Sequence, residues 1–175
     1  TLFSMLPYEV VGLGHADLSY GKSRLEEVVK SSKRLNLISS NIYSADSPVL
    51  NTYVIKKLGG IRVGFISIDS DVPLTDEFAN DFSFKQPIDT AKSLMSEIKN
   101  KCDFVVVLSQ LSDSENESLA NDVEGIDLIL GGSTSIEFEP KIIGNTLIAR
   151  SGPGLDSFGT VYISTKGKVV LNKSC

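Results

Sequence analysis

The apolar residues of this sequence form short continuous runs and helical spacings that follow one another along the chain, which predicts strands alternating with helices. Buried strands are predicted from the apolar runs at Tyr8–Leu13, Leu35–Ser39, Phe104–Leu108 and Ile126–Leu130. Helices are predicted at Lys22–Arg34, Pro87–Lys101 and Asp113–Asp122, and residues 1–6 have the pattern of a helix end. This alternation is typical of an α/β domain, in which helices cover a sheet.

Pairs of short strands around tight turns predict three β-hairpins. They join Thr52–Leu58 to Ile61–Ile68 through Gly59-Gly60, Lys141–Ile143 to Thr146–Ala149, and Phe158–Ser164 to Lys168–Leu171. A polar, acidic loop is expected from residue 69 to about residue 85. The predicted fold class is therefore α/β, with one or more layered mixed β-sheets flanked by helices and with C-terminal hairpins. A single domain is expected over residues 1–175.

The composition limits the kind of protein this is. Of 175 residues, 41% are hydrophobic and 22% are charged, as in a globular domain with a core of its own. The formal net charge is −5 and no run of Lys and Arg is present, so nucleic-acid binding, which needs a basic surface, is not expected. No apolar run approaches the roughly 20 residues of a transmembrane helix, so no membrane span is expected in this chain.

Histidine and cysteine are scarce in the sequence. The chain has one histidine, His15, and two cysteines, Cys102 and Cys175. A zinc site needs about four ligands at close spacing, which two distant cysteines do not supply. The cysteines are expected either as free thiols or in a disulfide, and the redox compartment stays open. A mechanism that needs several imidazoles cannot be assembled from this chain.

Five stretches in chain order carry a further pattern. They are Tyr8–Gly14 with Asp17–Gly21, Ile38–Ile42, Gly60–Ile66, Val107–Leu111, and Leu119–Ala120 with Val123–Gly132. Together they resemble the 5'-nucleotidase and UDP-sugar hydrolase branch of the calcineurin-like metallophosphoesterases, which has Gly-Asn-His-Glu, Ser-Ala-Asn, Gly-x-Lys-Val-Gly, Leu-Ser-His-Leu and Gly-Gly-His-Thr-His at these places. The resemblance covers nearly the whole chain. It implies a partial metallophosphoesterase-like domain, with the N-terminal metal-binding strands of the family domain absent.

The resemblance also implies that metal ligands have been lost. The family hydrolyses phosphoesters between two metal ions that generate the attacking hydroxide. This chain has Gly14-His15-Ala16-Asp17 in place of Gly-Asn-His-Glu, Gln110 in place of the His of Ser-His, and Ser133 and Ser135 in place of the two histidines of His-Thr-His. Neutral amides and hydroxyls bind transition metals poorly. No catalytic residue and no metal site are therefore expected, with His15 as a weak candidate ligand.

The same positions are the candidate ligand-binding residues, namely His15, Asp17, Gln110, Ser133 and Ser135. The resemblance implies a catalytically degenerate module for binding or scaffolding in an exported bacterial protein, in the periplasm or at the cell surface. Its partner would be a protein or an anionic small molecule, and no cofactor is expected. The alternative is a phosphoester (nucleotide) hydrolase whose altered site is completed by residues outside this chain and uses a divalent metal.

Several local features have a structural and a functional interpretation. His15 is expected as a hydrogen-bonded loop histidine or as a residual ligand. The segment Gly131–Ser135 is expected as a plain turn or as a nest of backbone N–H groups for an anion. Arg150 is expected in an ion pair or against an anion. The acidic residues between Asp69 and Asp81 are expected on a solvated surface, because their spacing does not match a calcium-binding loop.

Overall fold

The structure, a computed structural model, describes residues 8–32, 34–71, 81–132, 139–150, 159–163 and 169–172. The described helices are α1 (His15–Leu18), α2 (Gly21–Ser31), α3 (Pro87–Ile98) and α4 (Asp113–Asp122). The described strands are β1 (Val10–Gly12), β2 (Asn36–Ile38), β3 (Ile42–Ser44), β4 (Ser47–Pro48), β5 (Tyr53–Leu58), β6 (Ile61–Ile68), β7 (Ser83–Phe84), β8 (Phe104–Ser109), β9 (Leu128–Gly131), β10 (Lys141–Ile143), β11 (Thr146–Arg150), β12 (Thr160–Ile163) and β13 (Val169–Asn172).

Six strands form the main sheet, in the order β10-β11-β9-β8-β6-β5. β6, β8, β9 and β11 run parallel to one another, and the two outer strands are antiparallel to their neighbours. The chain crosses from β6 to β8 through α3 and from β8 to β9 through α4, since parallel neighbours need such crossover connections. The four parallel strands therefore all end at the same edge of the sheet.

Both faces of the main sheet are covered, which explains the continuous apolar run of β8. Its residues Phe104 to Val107 are all buried. One face packs against α3 and α4, which bury residues such as Met95, Ile98 and Leu119 there. The other face has a second apolar cluster that includes Val106 and Leu128.

A second layer lies against the main sheet and consists of the parallel strands β1 and β2. β1 approaches β6 and β8 so closely that a methyl group at Gly12 would overlap the Ser67 hydroxyl and lie 3.2 Å from Leu108 Cβ. Helix α2 covers this layer and contributes Leu25 to a third cluster with Leu13 and Leu18. The close approach aligns the end of β1 with the ends of the main parallel strands.

The fold class and two of the hairpins follow the sequence expectations. β5 and β6 pair around Gly59 and Gly60, whose φ angles of 57° and 93° are those glycine adopts readily. β10 and β11 pair in the same way around Gly144. β12 and β13 also pair, so the last predicted hairpin has its strands. A mixed, layered α/β fold is therefore confirmed.

The helix ends and one small sheet differ from the sequence expectations, and one expected helix lies outside the described residues. Helix α2 ends at Ser31 and α3 at Ile98, a few residues earlier than predicted. β3 pairs with β4 and β7 in a small sheet that the sequence did not predict, because strands of two or three residues are too short to show an alternating pattern. Residues 1–6, with their predicted helix end, lie outside the described residues. None of the described helices is long and apolar enough to span a bilayer.

The structure describes one of the two cysteines, Cys102. Cys102 is a half-buried free thiol beside Gly64, and burial raises the pKa of that thiol above its usual 9.0. A raised pKa lowers the share of the reactive thiolate form. Cys175 lies outside the described residues.

Candidate functional site

The candidate residues lie on the segments that follow the parallel strands. His15 comes soon after β1, Asp69 directly after β6, Gln110 directly after β8 and Gly132 directly after β9. Backbone hydrogen bonds continue past the strand ends, from Gln110 N–H to Ile68 O at 2.9 Å and from Gly132 N–H to Ser109 O at 2.7 Å. The carboxyl ends of parallel strands are where open α/β sheets bind ligands. These segments therefore form the candidate functional site.

The Gln110 side chain occupies a slot between two glycines. A Cβ atom at Gly14 would lie 3.2 Å from Gln110 Cγ, and one at Gly132 would lie 2.8 Å from Gln110 Oε1. The absence of side chains at these two positions makes room for the amide. The ends of β1, β8 and β9 are thus brought together around Gln110.

His15, the first residue of α1, lies against the carboxylate of Asp69. His15 Nδ1 lies 2.8 Å from Asp69 Oδ2, and the two side chains are 28% and 3% exposed. The contact therefore directs Nδ1 of His15 to a buried carboxylate oxygen.

Asp69 is held from several sides. Its backbone N–H donates to Asn41 Oδ1 at 2.9 Å, and Asn41 Nδ2 donates to Asp69 O at 2.7 Å. The Ser70 N–H donates to Asp69 Oδ1 at 2.7 Å. Burial raises the pKa of the Asp69 carboxyl above its usual 3.8, and the hydrogen bond from His15 opposes that rise. The carboxylate is thus costly to bury and is compensated by specific partners.

The expectation that the acidic segment from Asp69 to Asp81 is a solvated surface was wrong for Asp69. This residue is only 2% exposed. It follows β6 directly, so the sheet and the Asn41 amide enclose it. Residues 72–80 lie outside the described residues, and Asp81 is exposed.

Phe84 provides the flat surface against which the His15 ring lies. The ring centroids are 4.5 Å apart and the planes differ by 14°. Phe84 belongs to β7, which pairs with β3 through the register Ile42 to Phe84. The second amide hydrogen of Asn41 donates to Lys85 O at 3.0 Å, so the same asparagine ties this segment to Asp69.

The other candidate residues have different surroundings. Asp17 is exposed, and its Oδ2 accepts the Gly14 N–H at 3.0 Å, which satisfies a donor at the start of α1. Ser133 and Ser135 lie outside the described residues, so the turn or anion nest expected with them is not described. The structure therefore places His15, Asp17 and Gln110 at one edge of the fold.

A buried polar network supports the end of β8. Ser109 Oγ donates to Asn116 Oδ1 at 2.6 Å, and Asn116 Nδ2 donates to Leu111 O at 3.1 Å. Arg150, at the end of β11, is almost fully buried, and its Nη1 lies 3.4 Å from Asp113 Oδ1. The ion pair was one of the two fates expected for Arg150.

The described residues offer little for a metal ion. Among them, no group of three or more His, Cys, Asp or Glu side chains is placed to hold one. His15 directs Nδ1 to Asp69, and Gln110 presents a neutral amide.

A separate groove of about 600 Å³ lies between α2 and the β1–β2 layer. Its lining is mainly apolar and includes Val11, Leu25 and Leu37, with Arg24 and Tyr20 also along it. Within the described residues, β1 pairs with β2 alone.

Comparison with known proteins shows the same fold in longer proteins. No protein-family model matches the sequence, and no curated protein does. The fold matches the sulfate thiohydrolase SoxB from Thermus thermophilus with a TM-score of 0.74 at 21% identity, covering 85% of this chain and 28% of that one. A 5'-nucleotidase precursor, also from Thermus thermophilus, matches with a TM-score of 0.67 at 24% identity, covering 94% and 32%.

The NAD nucleotidase NadN of Haemophilus influenzae matches with a TM-score of 0.63 at 18% identity, covering 94% of this chain and 33% of that one. This chain thus spans about a third of the length of these solved relatives. The chain therefore shares the fold of a part of these solved proteins, two of which are named as nucleotidases and one as SoxB, and this likeness of fold was predicted from the motifs. At such low sequence identity, the similarity to these proteins shows a shared fold only.

Three residues of the site, Asn41, Phe84 and Asp69, were not predicted from the sequence. Asn41 was noticed only as part of a strand motif, and Phe84 was placed in a loop. Asp69 had a usable signal, because it directly follows an apolar strand and so falls at the ligand-binding edge of a parallel sheet. The pairing of Asp69 with His15 depends on two segments 54 positions apart in the chain, which no local pattern shows.

Proposed function

We propose that this domain is a catalytically degenerate relative of the 5'-nucleotidase-like proteins that binds an anionic small molecule at the carboxyl ends of its parallel strands. One observation carries the proposal. The segments that resemble the metal-binding motifs meet at one edge, yet they present a carboxylate-bound imidazole at His15 and a neutral amide at Gln110.

The side chains available at this edge favour binding of an anion over binding of two metal ions. A two-metal site needs several anionic or imidazole ligands around each ion. Gln110 offers amide N–H donors and His15 offers an imidazole, and both kinds of group bind the oxygens of anions. Asp17 and Asp69 carry negative charge and repel an anion. The ligand must therefore have oxygen atoms that contact the His15 imidazole and the Gln110 amide directly.

Calorimetry with two ligands tests the proposal. The protein is titrated with AMP and with inorganic phosphate in the presence of EDTA, and Gln110→Ala is compared with Asn121→Ala, an exposed amide on α4. We expect binding without metal that Gln110→Ala weakens and Asn121→Ala leaves unchanged. No heat from either ligand, or equal affinity in both variants, would contradict small-molecule binding at this edge.

We place the module in an exported bacterial protein, in the periplasm or at the cell surface. The support is the motif resemblance together with the similarity to a 5'-nucleotidase precursor. Fractionation of cells that make the native protein tests this location. Recovery in the cytoplasmic fraction would be incompatible with it.

The alternative function is a phosphoester hydrolase whose metal site is completed by residues outside this chain. It is supported by the retained imidazole of His15 and by the coverage of only about a third of the solved relatives. A strand with Asp-x-His followed by one with Gly-Asp, upstream of Thr1 in the full protein, would favour this alternative. Metal-dependent turnover by that longer protein would establish it.

A scaffolding role is the second candidate for the module. Among the described strands β1 pairs with β2 alone, and the mainly apolar groove lined by Val11 and Leu37 lies at this small sheet, which favours association with a second copy of this chain, since unpaired strand edges pair with one another. Light scattering of the purified chain over a range of concentrations measures this directly. A monomer at every concentration would exclude self-association through β1.

A further inference from the structure

A polar cleft of about 400 Å³ lies where the first turns of α3 meet β3 and the chain just before β5. Two buried residues that line it, Ser40 and Leu94, form its floor and are 1% and 8% exposed. The volume is within the range of small-molecule sites, about 300–1,000 Å³. Neither His15 nor Gln110 lines the cleft, so it is separate from the site at the carboxyl ends of the parallel strands.

The backbone around the cleft is held by hydrogen bonds. The Lys85 N–H donates to Asn41 O at 2.8 Å, and Asn41 Nδ2 donates to Lys85 O at 3.0 Å. On the opposite side, Ser40 Oγ donates to Thr52 O at 2.5 Å. The side chains at the cleft therefore project from fixed positions, which reduces the entropy that is lost when a ligand binds.

The rim of the cleft carries one positive and one negative side chain. The Lys85 ammonium lies 3.9 Å from the centre of the Tyr43 ring, and Asp89 lies in the first turn of α3. Within the described part of the chain, neither Lys85 nor Asp89 belongs to an ion pair. An ammonium has three N–H donors and a carboxylate only accepts, so each can bind a ligand group of opposite charge.

The walls of the cleft add hydroxyl groups. Thr52, Thr90 and Ser93 line it, and their side chains make no hydrogen bond with any other residue that the structure describes. A hydroxyl both donates and accepts, so these groups can bind either end of a charged ligand. The amide of Gln86, also at the rim, already donates to Asp71.

We propose that this cleft binds a small zwitterion, namely a free α-amino acid, whose carboxylate contacts the Lys85 ammonium and whose ammonium contacts the Asp89 carboxylate. The hydroxyls of Thr52, Thr90 and Ser93 complete the hydrogen bonds of the two charged groups. The buried side chain of Leu94 provides an apolar surface for a small aliphatic side chain of the ligand.

The charges of the rim favour this class of ligand over three others. A simple anion would pair with Lys85 but would be repelled by Asp89, and a simple cation would meet the reverse arrangement. A neutral sugar would use the hydroxyls and neither charge. A zwitterion alone pairs with both charged side chains at once.

Nuclear magnetic resonance with three small ligands tests the proposal. The ¹⁵N-labelled protein is titrated at neutral pH with L-alanine, with L-alaninamide, which lacks the carboxylate, and with N-acetyl-L-alanine, which lacks the ammonium. We expect L-alanine to give saturable shifts of the backbone signals of residues 85–94. Each analogue should bind about fivefold more weakly, the upper end of the effect of one exposed ion pair.

Two variants assign the ends of the ligand. Lys85→Gln should bind L-alanine and L-alaninamide equally, and Asp89→Asn should bind L-alanine and N-acetyl-L-alanine equally, because the lost charge no longer distinguishes them. Lys92→Gln, an exposed lysine of α3 that does not line the cleft, is the control and should keep the preference of the wild type. Since a carboxylate in a first helical turn also stabilises the helix, the preference between ligands is the deciding readout for Asp89.

Each contrary result has a definite meaning. No saturable shift with L-alanine, or tighter binding of either analogue than of L-alanine, would overturn the proposal. A preference for L-alanine that both variants retain would overturn the roles of Lys85 and Asp89. The calorimetry with phosphate and AMP concerns other residues, so the proposed function can fail while L-alanine binds, and the reverse result is equally distinguishable.

Discussion

At the scale of single residues, the sequence revealed which residue types were available but not how they are paired. The composition showed that the chain has one imidazole, and the motif showed that Gln110 stands where the resembled family has a histidine. The burial of Asp69 was not, because a carboxylate in a polar segment looks the same whether it is solvated or enclosed. The position of a residue directly after a buried strand is the better signal, since that position fixes its distance from the sheet edge.

An exposed ion pair gives a pH dependence with a definite sign. Arg62 binds both oxygens of Asp103, with Nη2 to Oδ1 at 2.7 Å and Nε to Oδ2 at 3.2 Å. These bonds lower the pKa of Asp103 to about 2 from 3.8. The unfolded chain therefore binds more protons between these values, so the stability from this pair is present above pH 3.8 and is lost as the pH falls through about 2.

We expect the wild type to lose more of its free energy of unfolding than Asp103→Asn as the pH is lowered across this interval. Urea unfolding at several pH values measures the difference. Because both side chains are exposed, the difference should shrink in about 1 M salt, where the Debye length is roughly 3 Å. Parallel pH curves for the two proteins would show that the pair does not contribute.

At the scale of elements, long strands and helices were predicted well and very short ones were not. β8 and α3 each carry enough residues to show burial on both faces or helical spacing. β3, β4 and β7 have two or three residues each, and their pairing depends on contacts between distant segments. The position of Phe84 beside His15 results from that pairing, so the site could not be completed from the sequence.

The N-terminus of α4 depends on a capping box. Ser112 Oγ accepts the Glu115 N–H at 3.3 Å, and the Ser112 N–H donates to Glu115 Oε2 at 2.8 Å. We expect Ser112→Ala to lower the free energy of unfolding by about 1 kcal/mol. The matched control Ser118→Ala, within the same helix, should change it by less than about 0.5 kcal/mol. Equal effects in urea unfolding would mean that the cap contributes nothing specific.

The contact between the two sheet layers requires glycine at one place. A methyl group at Gly12 would overlap Ser67 Oγ and press on Leu108 Cβ. We expect Gly12→Ala to destabilise the fold by about 1–3 kcal/mol, the usual cost of overpacking. Gly159→Ala, where a Cβ would meet nothing within 4 Å, is the control and should be close to neutral. If Gly12→Ala were as stable as the control, the close approach of β1 to the main sheet would be incorrect.

At the scale of the whole molecule, the fold and the chemistry of the site have different requirements. The apolar strands of the main sheet are needed for folding whatever the site does, and they match those of the solved relatives. The residues at the carboxyl edge differ from the metal-binding motifs that the sequence resembles. A glutamine fills the slot between Gly14 and Gly132, and the only histidine is bound to a buried carboxylate.

The central claim is that this chain has kept the fold without two-metal hydrolysis. Its most direct test is to load the purified protein with Mn²⁺ and Zn²⁺, dialyse it, count the bound metal, and assay a generic phosphate ester and AMP. We expect no stoichiometric metal and no turnover. Two metal ions per chain together with turnover of either ester would contradict the claim, and would mean that the altered positions at the strand ends still form a hydrolytic centre.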